Sequence, residues 1–256
     1  MFELRWRSVN LRWPDWLTIA QNLTSLVAPP VCALCGGPGR RQQEIWGIDL
    51  CAHCEAACPR VAQACTRCAE PLPCTRCVDS PPSFDAALAL FRYEDPVDLM
   101  ITSLKFQAEL GFARVLGTLL AQAVRVRGGA LPLCLIPMPL HLARLRERGF
   151  NQCEAIAAHA ARRLDIRMDA RLLYRTRATL PQSGLAATAR AVNLRGAFAV
   201  RDGRTPPAHV ALLDDVMTTG HTAEAAASAL KAAGCQRVEI WTCARAARLD
   251  AAKDCS

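Results

Sequence analysis

The sequence has no apolar run of about 18 residues, the length that a transmembrane helix needs, so no membrane span is expected. A secretory signal is not expected either, because Gln21, Asn22 and Thr24 interrupt the mildly apolar stretch that follows the first arginines. We expect residues 1–30 to form a helical extension with one apolar face. Since 52% of the 256 residues are apolar, the composition is that of a globular protein.

Acidic residues are fewer than basic ones, 23 against 31. The segment 141–195 holds eleven arginines and four acidic residues, so a net charge of +7 out of +8 is concentrated there. Such a segment attracts phosphates, on a small molecule or on a nucleic acid. The alternative is a solvated surface that only keeps the protein soluble. Aromatic residues are sparse in the segment (Phe150 and Tyr174), which weakens the case for a platform that stacks nucleobases.

Nine of the 14 cysteines lie between residues 32 and 77, and eight of them form CxxC pairs. Two such pairs can surround one zinc ion with four thiolates, and the 15-residue gap between the first two pairs is typical of zinc ribbons. The alternatives are a disulfide framework and a redox CxxC, and either one or two zinc ions fit the spacing. The predicted ligands are Cys32, Cys35, Cys51 and Cys54, followed by Cys65, Cys68, Cys74 and Cys77.

The remaining cysteines need no metal. Cys58 is a spare residue within the module, and His53 can replace a thiolate there, although an exposed bystander is the simpler interpretation. Cys134, Cys153, Cys235 and Cys243 lie in apolar segments and are expected in the core. With no export signal, the thiols should be reduced and the protein cytoplasmic. We therefore predict a zinc-binding module over 31–80, with a structural metal.

After two prolines at 81 and 82, strand and helix patterns alternate. Strands are predicted over 84–93, 133–140, 196–200, 209–215 and 237–245, and helices over 96–106, 110–126, 151–164 and 221–234. This alternation predicts an α/β domain over 81–256, with a parallel sheet flanked by helices.

The segment HVALLDDVMTTGHT (209–222) places Asp214 and Asp215 at the end of a strand that is apolar throughout. In a parallel sheet, ligands bind beyond the carboxyl ends of the strands. The loop that follows leads into a helix, where backbone amides and threonine hydroxyls can hold a phosphate. A phosphate beside two carboxylates, which can bind vicinal hydroxyls or a metal ion, predicts a site for a 5-phosphorylated ribose. An acidic strand end that only caps a helix is the alternative.

VALLDDVMTTGHT resembles the phosphoribosyl-pyrophosphate motif of the type I phosphoribosyltransferases. Together with IPMPLHLARLRERGFNQ (136–152), LPQSGLAATARAVNLRGAF (180–198) and the cysteine pairs, it resembles the ComF family. That family is amidophosphoribosyltransferase-like and associated with DNA uptake in competence. The resemblance covers residues 31–245 and implies a type I phosphoribosyltransferase fold.

The resemblance also implies roles for individual residues. Asp214 and Asp215 would contact the ribose hydroxyls, with or without Mg²⁺, and the loop would surround the 5-phosphate with Thr218, Thr219, Gly220, His221 and Thr222. The loop after the 133–137 strand would bind pyrophosphate, with charge from Arg144, Arg146 and Arg148, and Lys105 would also face the ligand. Arg190, Asn193 and Arg195 fall in the segment that matches the mobile hood. His221 stands where alanine or lysine is more usual, and its side chain is expected to face solvent.

Two functions of different class follow. The first is a Mg²⁺-dependent phosphoribosyltransferase that binds phosphoribosyl pyrophosphate and transfers its ribosyl group to an acceptor that the sequence does not reveal. The second is a protein that handles single-stranded DNA and uses the ribose-phosphate site for a regulatory or non-catalytic ligand. The family association implies a partner in the import machinery, such as a competence helicase.

Overall fold

The computed structural model describes residues 31–39, 48–176 and 196–246. The expected N-terminal helix and the segment with Arg190, Asn193 and Arg195 lie outside these ranges. Residues 1–52 and 53–256 form two compact units, each described by itself below. The domain limits predicted at residues 30 and 80 stay a prediction. None of the helices within the described ranges is both long and apolar enough to span a bilayer.

The centre of the second unit is a five-stranded sheet in which every neighbouring pair is parallel. The strand order is β1-β7-β6-β2-β3, which confirms the predicted α/β class, a parallel sheet flanked by helices. The elements in chain order are α1 (Ala52–Ala57), α2 (Arg76–Asp79), β1 (Ala86–Arg92), α3 (Val97–Gln107), α4 (Leu110–Arg127), β2 (Cys134–Pro137), α5 (Leu142–Arg148), α6 (Gln152–Leu164), β3 (Arg167–Met168), β4 (Leu173–Arg175), β5 (Phe198–Val200), β6 (His209–Met217), α7 (His221–Ala232) and β7 (Arg237–Arg245).

Each strand and helix predicted between residues 84 and 245 is present, with ends that differ by at most a few residues. β6 is apolar and fully buried from Val210 to Leu213, as expected for a strand covered on both faces. The predicted strand near 196–200 does not join the central sheet: β5 pairs antiparallel with β4, which was not predicted. Three-residue strands are too short to show periodicity, so their partners could not be inferred.

α4 and α6 approach each other closely at Gly117. A Cβ atom added to this glycine would lie 2.5 Å from the carbonyl oxygen of Ile156 and 2.8 Å from the Cβ of His159. α6 presents to the interior the face that its sequence predicts, including Cys153, Ile156 and Ala160. The helix pair therefore depends on a position where no side chain fits.

We expect Gly117→Ala to lower the melting temperature by about 3–10 °C, because overpacking costs about 1–3 kcal/mol in a domain of this size. Gly111→Ala is the matched control in the same helix, since a Cβ there meets no atom within 4 Å. The control should leave stability unchanged or raise it slightly through helix propensity. Equal melting temperatures for the two variants, measured by circular dichroism, would contradict this account of the packing.

Candidate functional site

The carboxylate pair, Asp214 and Asp215, lies near the carboxyl end of β6, between the parallel neighbours β2 and β7. Asp215 is only 5% exposed. A buried carboxylate must be paired or hydrogen-bonded, since its desolvation is otherwise too costly. The partners of Asp215 therefore determine how the site is built.

Asp215 has three such partners. The Lys105 ammonium lies 2.9 Å from its Oδ2, and the Gln152 side-chain amide donates to the same oxygen at 2.8 Å. The backbone N–H of Val216 donates to Oδ1 at 2.6 Å. Burial opposes the charge on Lys105, but the Asp215 carboxylate raises the lysine's pKa above its ordinary value. Lys105 is thus held as a cation beside the carboxylate pair.

Asp214 has different hydrogen-bond partners from its neighbour. Its Oδ1 accepts from the backbone N–H of Asp215 at 3.0 Å and lies 3.7 Å from the Cys153 sulfur. Burial, followed by the charge of Asp215, raises the pKa of Asp214 to about 7. Burial also raises the pKa of Cys153, so this residue stays a neutral thiol in the core. Asp214 therefore changes charge near neutral pH.

The threonine loop, residues 218–222, connects β6 to the twelve-residue helix α7. Gly220 is the N-cap residue at φ +81°, a conformation that favours glycine. His221 was expected to face solvent, but it is half-buried and its Nδ1 lies 3.1 Å from the Thr219 hydroxyl. A tight turn at the start of a helix directs backbone amides outward and suits an anion.

A cavity of about 250 Å³ borders on Lys105, whose ammonium contacts Asp215. It is lined by basic and aromatic side chains together with Glu147 and Ala108: Lys105, Phe106, Arg144, Arg148 and Phe150. The segment predicted as a pyrophosphate loop forms the short helix α5 instead, ended by Gly149 at φ +81°. Arg146 is exposed and is not among the lining residues. We call this space the basic cavity.

Gln152 connects the basic cavity to the carboxylate pair, a role that the sequence analysis missed. Its side-chain oxygen accepts a hydrogen bond from Arg148, and its amide nitrogen donates to Asp215. The preceding residue, Asn151, caps α6 by accepting from Cys153 N at 3.0 Å and donates to Met138 O at 3.1 Å. The segment RGFNQ thus fixes the start of α6 against the end of β2. Its glutamine, Gln152, belongs to a motif that carries the family resemblance, so that motif could have indicated a role for this residue.

The positive segment 141–195 does not act as one patch within its described part. Arg144 and Arg148 line the basic cavity, whereas Arg167 pairs with Asp169 at 3.0 Å. Arg175 lies near the carboxylate pair: burial lowers its pKa, and the charge of Asp214 opposes this shift. Net charge alone could not separate the arginines that line the cavity from those that form ion pairs within the fold.

The first cysteine cluster begins with a knuckle in which Cys32 N donates to Gly37 O at 2.7 Å and Gly36 N donates to Cys32 O at 2.9 Å. Gly36 has φ +71°, as the turn requires. The sulfurs of Cys35 and Cys51 are 3.8 Å apart. Cys54 follows Cys51 after three residues, on α1, and completes a group of four.

The second cysteine cluster repeats this knuckle with different residues. Cys65 N donates to Glu70 O, and Ala69 N to Cys65 O, both at 2.8 Å. Ala69 stands at φ +55° where the first knuckle has glycine. Its four sulfurs, from Cys65, Cys68, Cys74 and Cys77, lie within 4.8 Å of one another.

Both clusters fit zinc. Bonds of 2.3 Å in a tetrahedron separate neighbouring sulfurs by about 3.8 Å, close to the 3.8 Å and 3.5 Å found in the two clusters. Burial and the neighbouring sulfurs raise the pKa of Cys77, because crowded thiolates repel one another without a cation between them. The exposed His53 and the buried Cys58, which donates to Cys54 O, belong to neither group. The predicted core positions of Cys134, Cys153, Cys235 and Cys243 are confirmed.

We predict that Asp214→Asn stabilises the protein at pH 8 but not at pH 4. A carboxyl group whose pKa is raised on folding contributes stability below its unfolded value, which is lost as pH rises to about 7. The asparagine variant lacks this loss, so its melting temperature should exceed that of the wild type by about 2 °C or more at pH 8.

Asp202→Asn, at an exposed turn, is the control and should show no pH-dependent difference from the wild type. A melting-temperature difference for Asp214→Asn that is the same at both pH values would contradict the raised pKa.

Comparison with known proteins adds relatives over most of the chain, although no family model matches. Competence protein F of Haemophilus influenzae is 33% identical over 219 residues, which cover 83% of this chain and 90% of that protein. DNA utilization protein YhgH of Escherichia coli O157:H7 is 34% identical over 232 residues, covering 86% and 99%. Its Salmonella typhi counterpart is 33% identical over 229 residues, covering 86% and 99%.

Solved structures superpose on part of the chain with low scores. A hypoxanthine phosphoribosyltransferase from Staphylococcus aureus gives a TM-score of 0.32 at 14% identity, covering 51% of this chain and 61% of that one. An adenine phosphoribosyltransferase from Leishmania donovani gives 0.33 at 13% identity, covering 61% and 83%. Likeness of this degree says nothing about ligands.

Proposed function

Because the chain belongs to the ComF family, with relatives that include a competence protein and DNA utilization proteins, we propose that it binds phosphoribosyl pyrophosphate with Mg²⁺ and serves the uptake or use of DNA. The observation that carries the ligand assignment is that three groups lie near the carboxyl end of the central strand β6. These are the carboxylate pair, the threonine loop and the basic cavity.

Each group suits one part of the ligand. Carboxylate oxygens accept hydrogen bonds from vicinal hydroxyls, and Asp214 is the member of the pair less engaged by side chains. The amides of the threonine loop suit the 5-phosphate. Lys105, Arg144 and Arg148 around the basic cavity suit a diphosphate.

The carboxylate pair also fits a magnesium ion, which prefers oxygen ligands and is commonly shared between one or two carboxylates and substrate phosphates. Asp215 already neutralises Lys105, so Asp214 is the better candidate to hold the ion. When bound, the ion would neutralise charge on the diphosphate.

The chemistry supported by this arrangement is displacement at the anomeric carbon of the ribose. The bond from that carbon to the diphosphate oxygen breaks, a bond to an acceptor forms, and pyrophosphate leaves with the electron pair. Lys105 and the arginines of the basic cavity stabilise the departing charge, and the carboxylate pair holds the ribose while its ring carbon becomes positive. We therefore propose a phosphoribosyltransferase.

Calorimetric titration with phosphoribosyl pyrophosphate tests the ligand assignment. We expect micromolar binding that requires Mg²⁺, and an affinity at least tenfold lower in Asp214→Asn, because one hydrogen-bonding partner of the ribose hydroxyls is lost. Asp202→Asn should bind as the wild type does. Binding that survives chelation of Mg²⁺ and the Asp214→Asn change would show that the protein recognises only anions.

One observation favours the second function, the handling of single-stranded DNA. Phe106 is 75% exposed and lines the basic cavity with Phe150. The guanidinium of Arg148 lies 5.5 Å from the centre of the Phe106 ring. An exposed ring beside cationic side chains suits a stacked base and its phosphate. Phe106 lies outside 141–195 in the chain, so the aromatic content of that segment did not reveal it.

For this function we predict that Phe106→Ala weakens binding of an oligothymidylate about fivefold or more, the effect of losing one stacked base. Raising salt from 50 to 200 mM should weaken wild-type binding roughly 20-fold, as three phosphate contacts require. Val126→Ala, an exposed apolar residue of α4, is the matched control. Fluorescence anisotropy that shows equal affinities for the two variants would exclude Phe106 from a DNA site.

A further inference from the structure

The second cysteine cluster contacts the threonine loop through two arginines and one glutamate. Arg76, which lies between Cys74 and Cys77, donates from Nη1 to Thr219 O at 3.1 Å. Arg245, at the end of β7, donates from Nη1 to Met217 O at 2.7 Å and also to Thr218 O. Three consecutive carbonyl groups of this turn therefore accept hydrogen bonds from guanidinium groups.

Glu70 joins the two arginines. Its Oε1 accepts from Arg245 Nη2 at 2.6 Å and lies 4.0 Å from Arg76 Nη2. Glu70 belongs to the second cysteine cluster, since its carbonyl closes the knuckle of Cys65. Arg245 is 3% exposed, so this ion pair is shielded from solvent. We call these three residues the Glu70 network.

The direction of the accepting carbonyls determines the direction of the neighbouring amides. In a planar trans peptide, the C=O of one residue and the N–H of the next point in opposite directions. When the carbonyls of residues 217–219 face the Glu70 network, the amides of Thr218, Thr219 and Gly220 face away from it. These amides belong to the loop that we assign to the 5-phosphate.

Arg76 also connects this network to the cysteine sulfurs. Within the described residues its Nε is buried and has no hydrogen-bond partner. Because Arg76 lies between two metal-ligand candidates in the chain, a bound metal that fixes their sulfurs also fixes the backbone of Arg76.

The linker that follows the cluster makes a further contact with the same region. The backbone N–H of Ser83 donates to Glu224 Oε2 at 2.8 Å, and its hydroxyl donates to Glu224 Oε1. Glu224 lies in the first turn of α7. The cysteine-rich segment therefore contacts both the carbonyls before Gly220 and the helix after it.

We propose that the second cysteine cluster is a structural part of the ligand site, in which Arg76 is a positioning residue. Metal bound by the cluster fixes Arg76, and the Glu70 network then orients the amides of the threonine loop. The inference rests on the proposed function in one respect, that the loop receives a phosphate.

The chain offers a closely matched control, because the sequence CTRC occurs twice in the cluster, at 65–68 and at 74–77. Arg67 and Arg76 occupy the same position in the two copies. Arg67 is exposed and its Nη2 lies 3.5 Å from Pro82 O, away from the threonine loop. Arg67→Ala and Arg76→Ala therefore remove the same side chain from the same position of two identical CxxC pairs.

The first measurement uses the protein without ligand, so that it does not depend on the proposed function. Hydrogen exchange of the Glu224 amide, which donates to Gly220 O at 2.8 Å, should be about tenfold or more faster in Arg76→Ala than in the wild type, since the loop that presents this carbonyl loses a charge-assisted hydrogen bond. Zinc content should be the same in both arginine variants as in the wild type. Arg67→Ala should exchange as the wild type does.

The second measurement is the affinity for phosphoribosyl pyrophosphate, expected to fall about tenfold in Arg76→Ala and to stay unchanged in Arg67→Ala. Glu70→Gln, which leaves every cysteine and both arginines in place, should weaken binding in the same direction and covers the case in which Arg76→Ala does not fold. Unchanged exchange and affinity in Arg76→Ala, or equal effects in the two arginine variants, would overturn the proposal. If the wild type binds no phosphoribosyl pyrophosphate while exchange still differs, the ligand assignment fails and the positioning role stands.

Discussion

The structure of the site depends on burying a carboxylate at the end of a strand that is otherwise apolar. Asp215 is acceptable there because Lys105 supplies an opposite charge and Gln152 a hydrogen bond. These partners come from the ends of two different helices, so the buried charge determines how α3 and α6 meet the sheet. Asp214, which forms no ion pair with a described residue, has a raised pKa and an environment suited to an incoming ligand.

A second constraint comes from the threonine loop, whose backbone carbonyls must be satisfied away from the ligand. Arg76 and Arg245 provide this from one side, and the start of α7 fixes the other. The first of these arginines belongs to a cysteine knuckle. The second cysteine cluster, which the sequence assigns to a zinc-binding module, is therefore in contact with the loop. Under our proposal, a metal bound there would influence a ligand that it does not touch.

The sequence predicted the larger features because each has a periodic or spaced signal. β6 is a continuous apolar run, the cysteine pairs have metal-ligand spacing, and the carboxylate pair falls where a parallel sheet binds ligands. The missed features depend on tertiary contacts. Gln152 and Arg76 acquire their roles from residues 63 and 143 positions away, and no local pattern encodes such a distance. The pairing of β4 with β5 was missed for a related reason, because strands of three residues show no period.

The most direct test is a crystal structure of the protein with phosphoribosyl pyrophosphate and Mg²⁺. The account predicts the 5-phosphate against the amides of 218–222, the ribose hydroxyls against Asp214, and the diphosphate toward Lys105 and Arg148. A ligand bound elsewhere, or a 5-phosphate placed in the basic cavity with the threonine loop empty, would contradict it.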